Sequence, residues 1–216
     1  MATIVIGGHS RNIGKTSVVC ALISALPELR WTAIKISQHE HGVCPHTSEI
    51  CDSVDQGIAI FEERDASAGT DSSRYLAAGA IRSLWVRTGR RQLAEAMPRI
   101  RAEIDCSENV ILESNSVLRF IKPDICASVL DPAIVDFKPS ALRYLDRADA
   151  LLMPVHAGSK QGWPDGSLNL IERIPRFNIA PPDYFSPDFA EYVAGKLSAL
   201  RQSAQNQFAS SDAASM

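Results

Sequence analysis

The chain lacks the features that mark membrane, secreted and nucleic-acid-binding proteins. No apolar run approaches the roughly 20 residues that a membrane-spanning helix needs. The formal net charge is −3, so no basic surface is expected for nucleic acid or an anionic membrane. No basic segment precedes the first apolar residues, so a signal peptide is not expected. The five cysteines, an odd number without a secretion signal, favour reduced thiols and a cytoplasmic location.

What is present is the composition of one folded domain. The 216 residues are 45% hydrophobic and 22% charged, which suits a single domain with a substantial core. Strand-like apolar runs alternate with segments of helical periodicity, so we predict a three-layer α/β fold with a mostly parallel sheet. The predicted strands are residues 3–7, 31–36, 57–62, 81–86, 109–112, 124–130 and 150–155. The predicted helices are 15–26, 71–79, 90–104 with a kink or a new start at Pro98, 139–147, and one that opens at Ser186-Pro187. The domain is expected to span residues 1–202, and the polar residues 203–216 are expected to form a disordered tail.

The stretch from Ile4 to Ser17 has the layout of a phosphate-binding P-loop. An apolar strand leads into a glycine-rich loop, and a helix opens at Lys15, so backbone N–H groups and the helix dipole favour an anion there. Five residues separate Gly8 from Gly14, one more than the usual pattern, a spacing that resembles the loops of dethiobiotin synthetase and related enzymes. A glycine turn with an incidental Lys-Thr pair is the alternative. The pattern predicts a P-loop NTPase fold that binds a nucleoside triphosphate and Mg²⁺, through Gly8, Asn12, Ile13, Gly14, Lys15, Thr16 and Ser17.

Polar residues follow several predicted strands where these end. Lys35, Glu113 and His156 stand at such positions, and ligands of parallel sheets bind outside these ends. Glu113 follows a strongly apolar strand, so it suits a carboxylate that holds Mg²⁺ opposite the Thr16 hydroxyl. Lys35 is a further candidate for nucleotide binding. The alternative for Glu113 is a solvated strand end.

The segment Asp71 to Ala80 is the second distinctive stretch. Asp71 or Ser72 could cap a short helix that ends at Gly79, and Arg74, one turn into it, could bind a phosphate or a carboxylate. A plain amphipathic helix with a glycine stop would have much the same pattern, so spacing alone leaves both interpretations open.

Taken together, these stretches resemble the molybdopterin-guanine dinucleotide biosynthesis protein B family of small P-loop proteins. The segments that carry the likeness are Ile34-Lys35-Ile36-Ser37-Gln38-His39, Asp71-Ser72-Ser73-Arg74 with Ala78-Gly79-Ala80, and Val110-Ile111-Leu112-Glu113. The resemblance implies GTP binding with weak hydrolysis, a homodimer, and a partner protein in molybdenum cofactor maturation. It covers about residues 2–130. In the hypothesis that we favour, the catalytic residues are Lys15, which neutralises the β- and γ-phosphate oxygens, and Asp71 or Arg74, which act near the γ-phosphate.

The chain also departs from that family. Ile36 follows Lys35 where the family has histidine, Ser114 replaces a glycine, and residues 42–70 look like an insertion. The Asn/Thr-Lys-x-Asp pattern that reads guanine is missing from the sequence, so GTP and ATP remain equal candidates. Two other functions stay open, an ATP-dependent ligase or transferase of the dethiobiotin synthetase type and a non-catalytic nucleotide-gated adaptor.

A histidine- and cysteine-rich stretch follows the second strand. His39, His41, Cys44, His46 and Cys51 supply enough ligands for a tetrahedral Zn²⁺ site. They form no paired Cys-x-x-Cys or His-x-x-x-His unit, so the spacing does not decide between a metal site and a polar loop near phosphate.

Overall fold

The computed structural model describes residues 1–39, 57–89, 91–155 and 172–213. Its centre is an eight-stranded sheet with the order β3-β4-β2-β5-β1-β6-β7-β8. The strands are β1 (Ala2–Gly8), β2 (Trp31–His39), β3 (Ala59–Glu63), β4 (Arg82–Gly89), β5 (Asn109–Glu113), β6 (Ile125–Val129), β7 (Ala150–Pro154) and β8 (Arg176–Ile179).

Every neighbouring pair in this sheet is parallel except β3 and β4. Strand β1 lies between β5 and β6, and its register places Ile6 opposite Glu113 and Gly8 opposite Val129. Lys35 of β2 lies opposite Glu113 on the other side of β5. The carboxyl ends of β1, β2 and β5 therefore bring the phosphate loop, Lys35 and Glu113 to one edge of the sheet.

Helices cover both faces of the sheet, which makes three layers. The helices are α1 (Lys15–Ala25), α2 (Asp71–Ala77), α3 (Leu93–Asp105), α4 (Pro139–Tyr144) and α5 (Pro187–Ala213). One core joins the inner sides of α1, α2 and α5 to the sheet through residues such as Val19, Tyr75 and Val193. A second core packs α3 and α4 on the opposite face, with Ile100 and Tyr144 among its members, and a small third cluster joins Leu130, Leu145 and Leu151. The predicted α/β fold with a mostly parallel sheet is confirmed.

Several elements differ in detail from the sequence expectation. Strand β8 was not predicted, because its alternation of polar and apolar residues covers only four positions, two of them exposed. Helix α3 starts at Leu93 and runs through Pro98 as one helix. A proline costs a helix one hydrogen bond and a local clash, which the well-packed apolar face of α3 offsets.

Helix α5 opens at Pro187, as expected, but continues to Ala213. The composition predicts disorder from residue 203, whereas the structure extends the helix over 203–213. Alanine and glutamine have good helix propensity, and adding residues to an existing helix avoids the cost of nucleation. None of the helices in the described part of the chain is long and apolar enough to cross a membrane.

Candidate nucleotide-binding site

A tight loop joins β1 to α1. Asn12 has φ 55°, and Gly14, the N-cap of α1, has φ 88°. Left-handed residues of this kind turn the chain sharply, so α1 begins at Lys15 directly beyond the end of β1. The first turn of a helix has backbone N–H groups without partners inside the helix, and these attract anions. The loop and helix start thus have the P-loop layout that the sequence predicts.

The start of the loop is held by two side chains, one from just after β5 and one from the loop itself. Asn115, just after β5, accepts a 2.8 Å hydrogen bond from the Gly8 N–H and donates another of 2.8 Å to the Gly8 carbonyl. The fully buried ring of His9 donates from Nε2 to the Ile134 carbonyl at 3.1 Å and accepts at Nδ1 from the Asp131 N–H at 3.4 Å. Burial lowers the pKa of His9, which keeps this ring neutral. Gly8 and His9 thus shape the loop through their contacts with the protein.

Gly14 is required for a second reason besides its backbone angle. A Cβ atom at this position would lie 2.1 Å from Cε1 of Tyr184, so the tyrosine ring packs directly on the Gly14 backbone. Tyr184 lies in the turn between β8 and α5 and itself has φ 51°. The sequence alone gives no sign that this distant turn covers the phosphate loop.

Lys15 curls back over the loop. Its Nζ donates a 2.7 Å hydrogen bond to the Ser10 carbonyl. Burial lowers the pKa of Lys15 to about 8, nearby Glu113 opposes this shift, and the ammonium groups of Lys138 and Lys35 add to it. A partly buried ammonium next to two others is a place where a polyanion such as a triphosphate would be stabilised.

The carboxylate of Glu113 is the centre of the site. It is 4% exposed, and its Oε2 accepts a 2.7 Å hydrogen bond from the Thr16 hydroxyl. The same oxygen accepts from the buried Tyr75 hydroxyl, and Oε1 pairs with the Lys35 ammonium. Burial, together with the negative charge of Glu113, raises the pKa of Tyr75 well above its ordinary value, so the phenol remains a donor. Thr16 and Glu113, which the sequence paired as Mg²⁺ ligands, are in contact.

Asp71, the first residue of α2, lies close to the same group of side chains. Its Oδ2 lies 2.9 Å from Lys35 Nζ. Burial would raise the pKa of Asp71, but the charge of Lys35 and hydrogen bonds from Lys35 and Thr16 outweigh it and lower the pKa. Asp71 does not cap α2. The expectation that Asp71 or Ser72 caps this helix is wrong, because the Thr70 side chain accepts the bond from the Ser73 N–H at 3.0 Å.

Arg74 lies one turn after Asp71 in α2 and contacts the first turn of α1. Its guanidinium donates a 2.9 Å hydrogen bond to the Ser17 hydroxyl and lies 3.9 Å from Asp71. It also forms one wall of a groove of about 480 Å³ alongside α1. The groove is lined by Ser17, Cys20, Ala21, Ser24, Ala25, Arg74, Pro182, Asp183 and Phe185. Arg74 thus borders both the start of α1 and an open groove beside it.

A second loop, after β6, also contacts the phosphate loop. The Ser10 hydroxyl donates to Asp136 at 2.7 Å, and the Lys138 N–H donates to the His9 carbonyl at 2.8 Å. Burial lowers the pKa of Lys138, and the nearby Arg11 guanidinium lowers it further. Lys138 therefore adds a third lysine to the cationic group around the loop.

The donor set fits a magnesium ion. Mg²⁺ prefers oxygen ligands and is usually held by one or two carboxylates together with substrate phosphates. Adjacent oxygens around Mg²⁺ lie about 2.9 Å apart, given Mg–O distances of about 2.0–2.1 Å, and the Thr16 and Glu113 oxygens are 2.7 Å apart. Within the described ranges, no three His, Cys, Asp or Glu side chains are grouped to hold a metal by themselves. His41, Cys44, His46 and Cys51 lie outside the described residues, as do His156 and the side chain of His39.

Sequence reasoning missed three residues that build the site. Asn115 lies two positions after Glu113, Tyr75 follows Arg74, and Tyr184 comes from a distant loop. The position of Asn115 shortly after a strand was a usable signal, because polar groups at such ends gather at one edge of the sheet. Tyr75 looked like an ordinary core aromatic, and its hydroxyl contact with Glu113 depends on how α2 packs on the sheet.

The chain matches known proteins only among solved structures. No protein-family model matches the chain, and no curated protein matches it. Among solved structures, LpxK from Aquifex aeolicus in complex with ATP matches with 18% identity and a TM-score of 0.47, over 82% of this chain and 53% of LpxK. The chain therefore spans about half the length of that protein.

Two other solved structures are similar over most of their length. HypB from Helicobacter pylori in complex with nickel has 14% identity and a TM-score of 0.46, over 89% of this chain and 86% of HypB. MobB from Bacillus subtilis has 16% identity and a TM-score of 0.41, over 91% of this chain and 98% of MobB.

Proposed function

We propose that this chain binds a nucleoside triphosphate with Mg²⁺ and hydrolyses it slowly. The observation that carries the proposal is the 2.7 Å contact between Thr16, at the start of α1, and the buried Glu113 at the end of β5. This contact brings two oxygens suited to Mg²⁺ next to the phosphate loop, Lys15 and the N-terminus of α1. This combination is what phosphoryl-transfer sites need, because their catalysis is mostly positioning and charge stabilisation.

Each residue has a definite part in this proposal. The N–H groups at the start of α1 hold the phosphates, and the Lys15 ammonium neutralises their outer oxygens. Thr16 and Glu113 hold Mg²⁺, which supplies positive charge between phosphate oxygens. Asp71 and Arg74 lie close enough to Thr16 and Ser17 to act near the phosphate chain.

Slow turnover is supported by the state of the two carboxylates. Glu113 already accepts hydrogen bonds from Thr16 and Tyr75 and pairs with Lys35, and Asp71 pairs with Lys35 as well. The charge of Lys35 and hydrogen bonds from Lys35 and Thr16 lower the pKa of Asp71, and a carboxylate held in its charged form is a weak general base. Asp71 is therefore not set to activate a water molecule strongly, and Glu113 is already engaged by three partners.

The finer assignment rests on the sequence resemblance. We propose GTP or ATP as the nucleotide, a role as an accessory protein of molybdenum cofactor maturation, and a homodimer. The segments that support it, around Lys35, Asp71 to Ala80 and Glu113, are those that converge on the site.

A second candidate function is favoured by the groove beside α1. Its walls combine the Arg74 guanidinium with the half-exposed ring of Phe185, a combination that suits a small carboxylate with an apolar body. In an ATP-dependent ligase or transferase, such a substrate would stimulate ADP formation. Phosphate release that stays the same with every small carboxylate tested would contradict this candidate.

Calorimetric titration tests the proposal on the wild-type protein. Non-hydrolysable GTP and ATP analogues should bind in the presence of Mg²⁺, and chelation of Mg²⁺ should weaken the binding of the preferred analogue. A preference for GTP supports the cofactor-maturation role, and a preference for ATP favours the ligase. Absence of binding by both analogues would refute the proposal.

Nucleotide binding should take up a proton in alkaline solution. The pKa of Lys15 is lowered to about 8 in the free protein, and triphosphate would raise it again towards 10.5. At about pH 9 the free lysine is mostly neutral, so complex formation should bind up to about one proton, while at about pH 7 it should bind little. Affinity should fall as the pH rises through about 8.

Titrations in two buffers of different ionisation enthalpy measure this uptake. Lys138→Gln is the matched control, since the pKa of Lys138 is also lowered and its contribution must be subtracted. Equal heats in both buffers at about pH 9 would show that Lys15 does not become protonated on binding.

A further inference from the structure

The ammonium group of Lys35 lies among three oxygens. Its Nζ is 2.9 Å from Asp71 Oδ2 and 3.4 Å from Thr16 Oγ1, and it pairs closely with Glu113 Oε1. The Lys35 side chain is 17% exposed, so this contact is largely shielded from water. A cation therefore already occupies the space between the hydroxyl and the two carboxylates.

These three oxygens are the kind that would bind a divalent cation. Two carboxylates and a hydroxyl are hard oxygen ligands, and they come from α2, β5 and the start of α1. Lys35 belongs to none of these elements and reaches the cluster from β2. The protein thus supplies its own positive charge to a cluster of oxygens suited to Mg²⁺.

The charge of the oxygen cluster favours binding of either the Lys35 ammonium or Mg²⁺, but not both at once. With Lys35 in place, the two carboxylates and one ammonium sum to a single negative charge. Adding Mg²⁺ while Lys35 stays would crowd three positive charges against two negative ones. The repulsion is screened only weakly on the side of Glu113, which is buried, although Asp71 is more exposed. Without Lys35, one Mg²⁺ would balance both carboxylates.

We propose that Lys35 occupies the divalent-cation position in the nucleotide-free protein, and that Mg²⁺ entering with the nucleotide displaces it. This inference rests on the proposed function insofar as Thr16 and Glu113 are the Mg²⁺ ligands. The unbranched stem of Lys35 allows its head to move without a change in β2. Once displaced, the ammonium is free to bind phosphate oxygens, so metal entry and phosphate recognition are coupled through one side chain.

The test measures Mn²⁺ binding by electron paramagnetic resonance on nucleotide-free protein. Lys35→Gln removes the competing charge and should tighten Mn²⁺ binding by about tenfold or more relative to wild type, since a site blocked by a competitor shows reduced apparent affinity. The control Lys122→Gln removes an exposed lysine outside the site and should bind Mn²⁺ as wild type does. Adding Glu113→Gln to Lys35→Gln should abolish the gain.

Thermal melting provides a second readout. Lys35→Gln should melt at a lower temperature than wild type without divalent cations, and Mg²⁺ should restore its melting temperature, whereas Na⁺ at equal ionic strength should not. Equal Mn²⁺ affinity of wild type and Lys35→Gln would overturn the inference. A variant that stays unfolded even in Mg²⁺ would also overturn it, because the proposal holds that the metal replaces the ammonium.

The two proposals fail in different ways. The Mn²⁺ measurement contains no nucleotide, so it decides on Lys35 by itself. If Lys35→Gln binds Mn²⁺ no more tightly than wild type while wild type still binds nucleotide, only the displacement of Lys35 by Mg²⁺ is refuted. An increase in Mn²⁺ affinity without nucleotide binding by wild type would instead refute the proposed function.

Discussion

Replacement of Lys15 by alanine is expected to weaken Mg²⁺-nucleotide binding by about a hundredfold or more, roughly 3 kcal/mol. The Lys15 ammonium lies over the loop and donates to the Ser10 carbonyl, so it is placed where triphosphate oxygens would lie. Calorimetry with the preferred analogue measures the loss. Lys122→Ala, an exposed lysine away from the loop, should bind as wild type does.

The same substitution should leave the stability of the free protein unchanged or raise it. Burial lowers the pKa of Lys15 to about 8, so the folded state disfavours its charged form at neutral pH. Stability therefore rises in wild type as the pH increases from about 8 towards 10.5, where only the unfolded chain still binds the proton. Lys15→Ala should abolish this rise, which urea unfolding at several pH values would detect.

Nucleotide affinity of Lys15→Ala equal to that of wild type would show that the loop does not bind phosphates through Lys15.

Replacement of Glu113 by alanine is expected to destabilise the protein by about 3–5 kcal/mol, because it breaks a buried ion pair and leaves the Lys35 ammonium with only the more exposed Asp71 as its partner. The carboxylate receives hydrogen bonds from Thr16 and Tyr75 and pairs with Lys35, and it is 4% exposed. Its loss also leaves the buried Tyr75 hydroxyl without this acceptor. Equilibrium unfolding in urea measures the change in free energy.

Two further variants separate the parts of this effect. Tyr75→Phe removes one donor and should cost about 1–2 kcal/mol. Lys35→Met should cost less in the Glu113→Ala background than in wild type, because the ammonium removed there has already lost its buried partner. Additive effects of the two substitutions would contradict the view that Glu113 and Lys35 form a coupled buried pair.

The central strand, loop and helix were predictable because their signals are local. One continuous stretch holds all of these signals. Its β-branched run predicts the strand, its glycines predict the tight loop, and Gly-Lys-Thr-Ser predicts a helix start that binds phosphate. Lys35 and Glu113 were predictable because parallel strands bring their carboxyl ends to one edge. The contact of Thr16 with Glu113 follows from these two rules together.

The residues that were not predicted depend on packing between distant segments. Thr70 caps α2 in place of Asp71, because Asp71 is drawn instead to Lys35 across the site. Asn115, Tyr75 and Tyr184 contribute through contacts whose partners lie 107, 38 and 170 residues away. Local propensity carries no information on such pairs, so only the assembled sheet and helices show them.

The anchoring of the phosphate loop has a consequence for how a ligand would be received. Asn115, the His9 ring and Tyr184 hold the loop from three directions through contacts within the protein. A loop that had to become ordered around its ligand would lose conformational entropy worth about 1–2 kcal/mol per residue. Here folding has already placed these residues, so recognition carries little of that entropy cost. Substitutions at Asn115 or His9 would then weaken ligand affinity without removing any contact to the ligand. The loop would be less ordered in the free protein and would lose conformational entropy when the ligand binds.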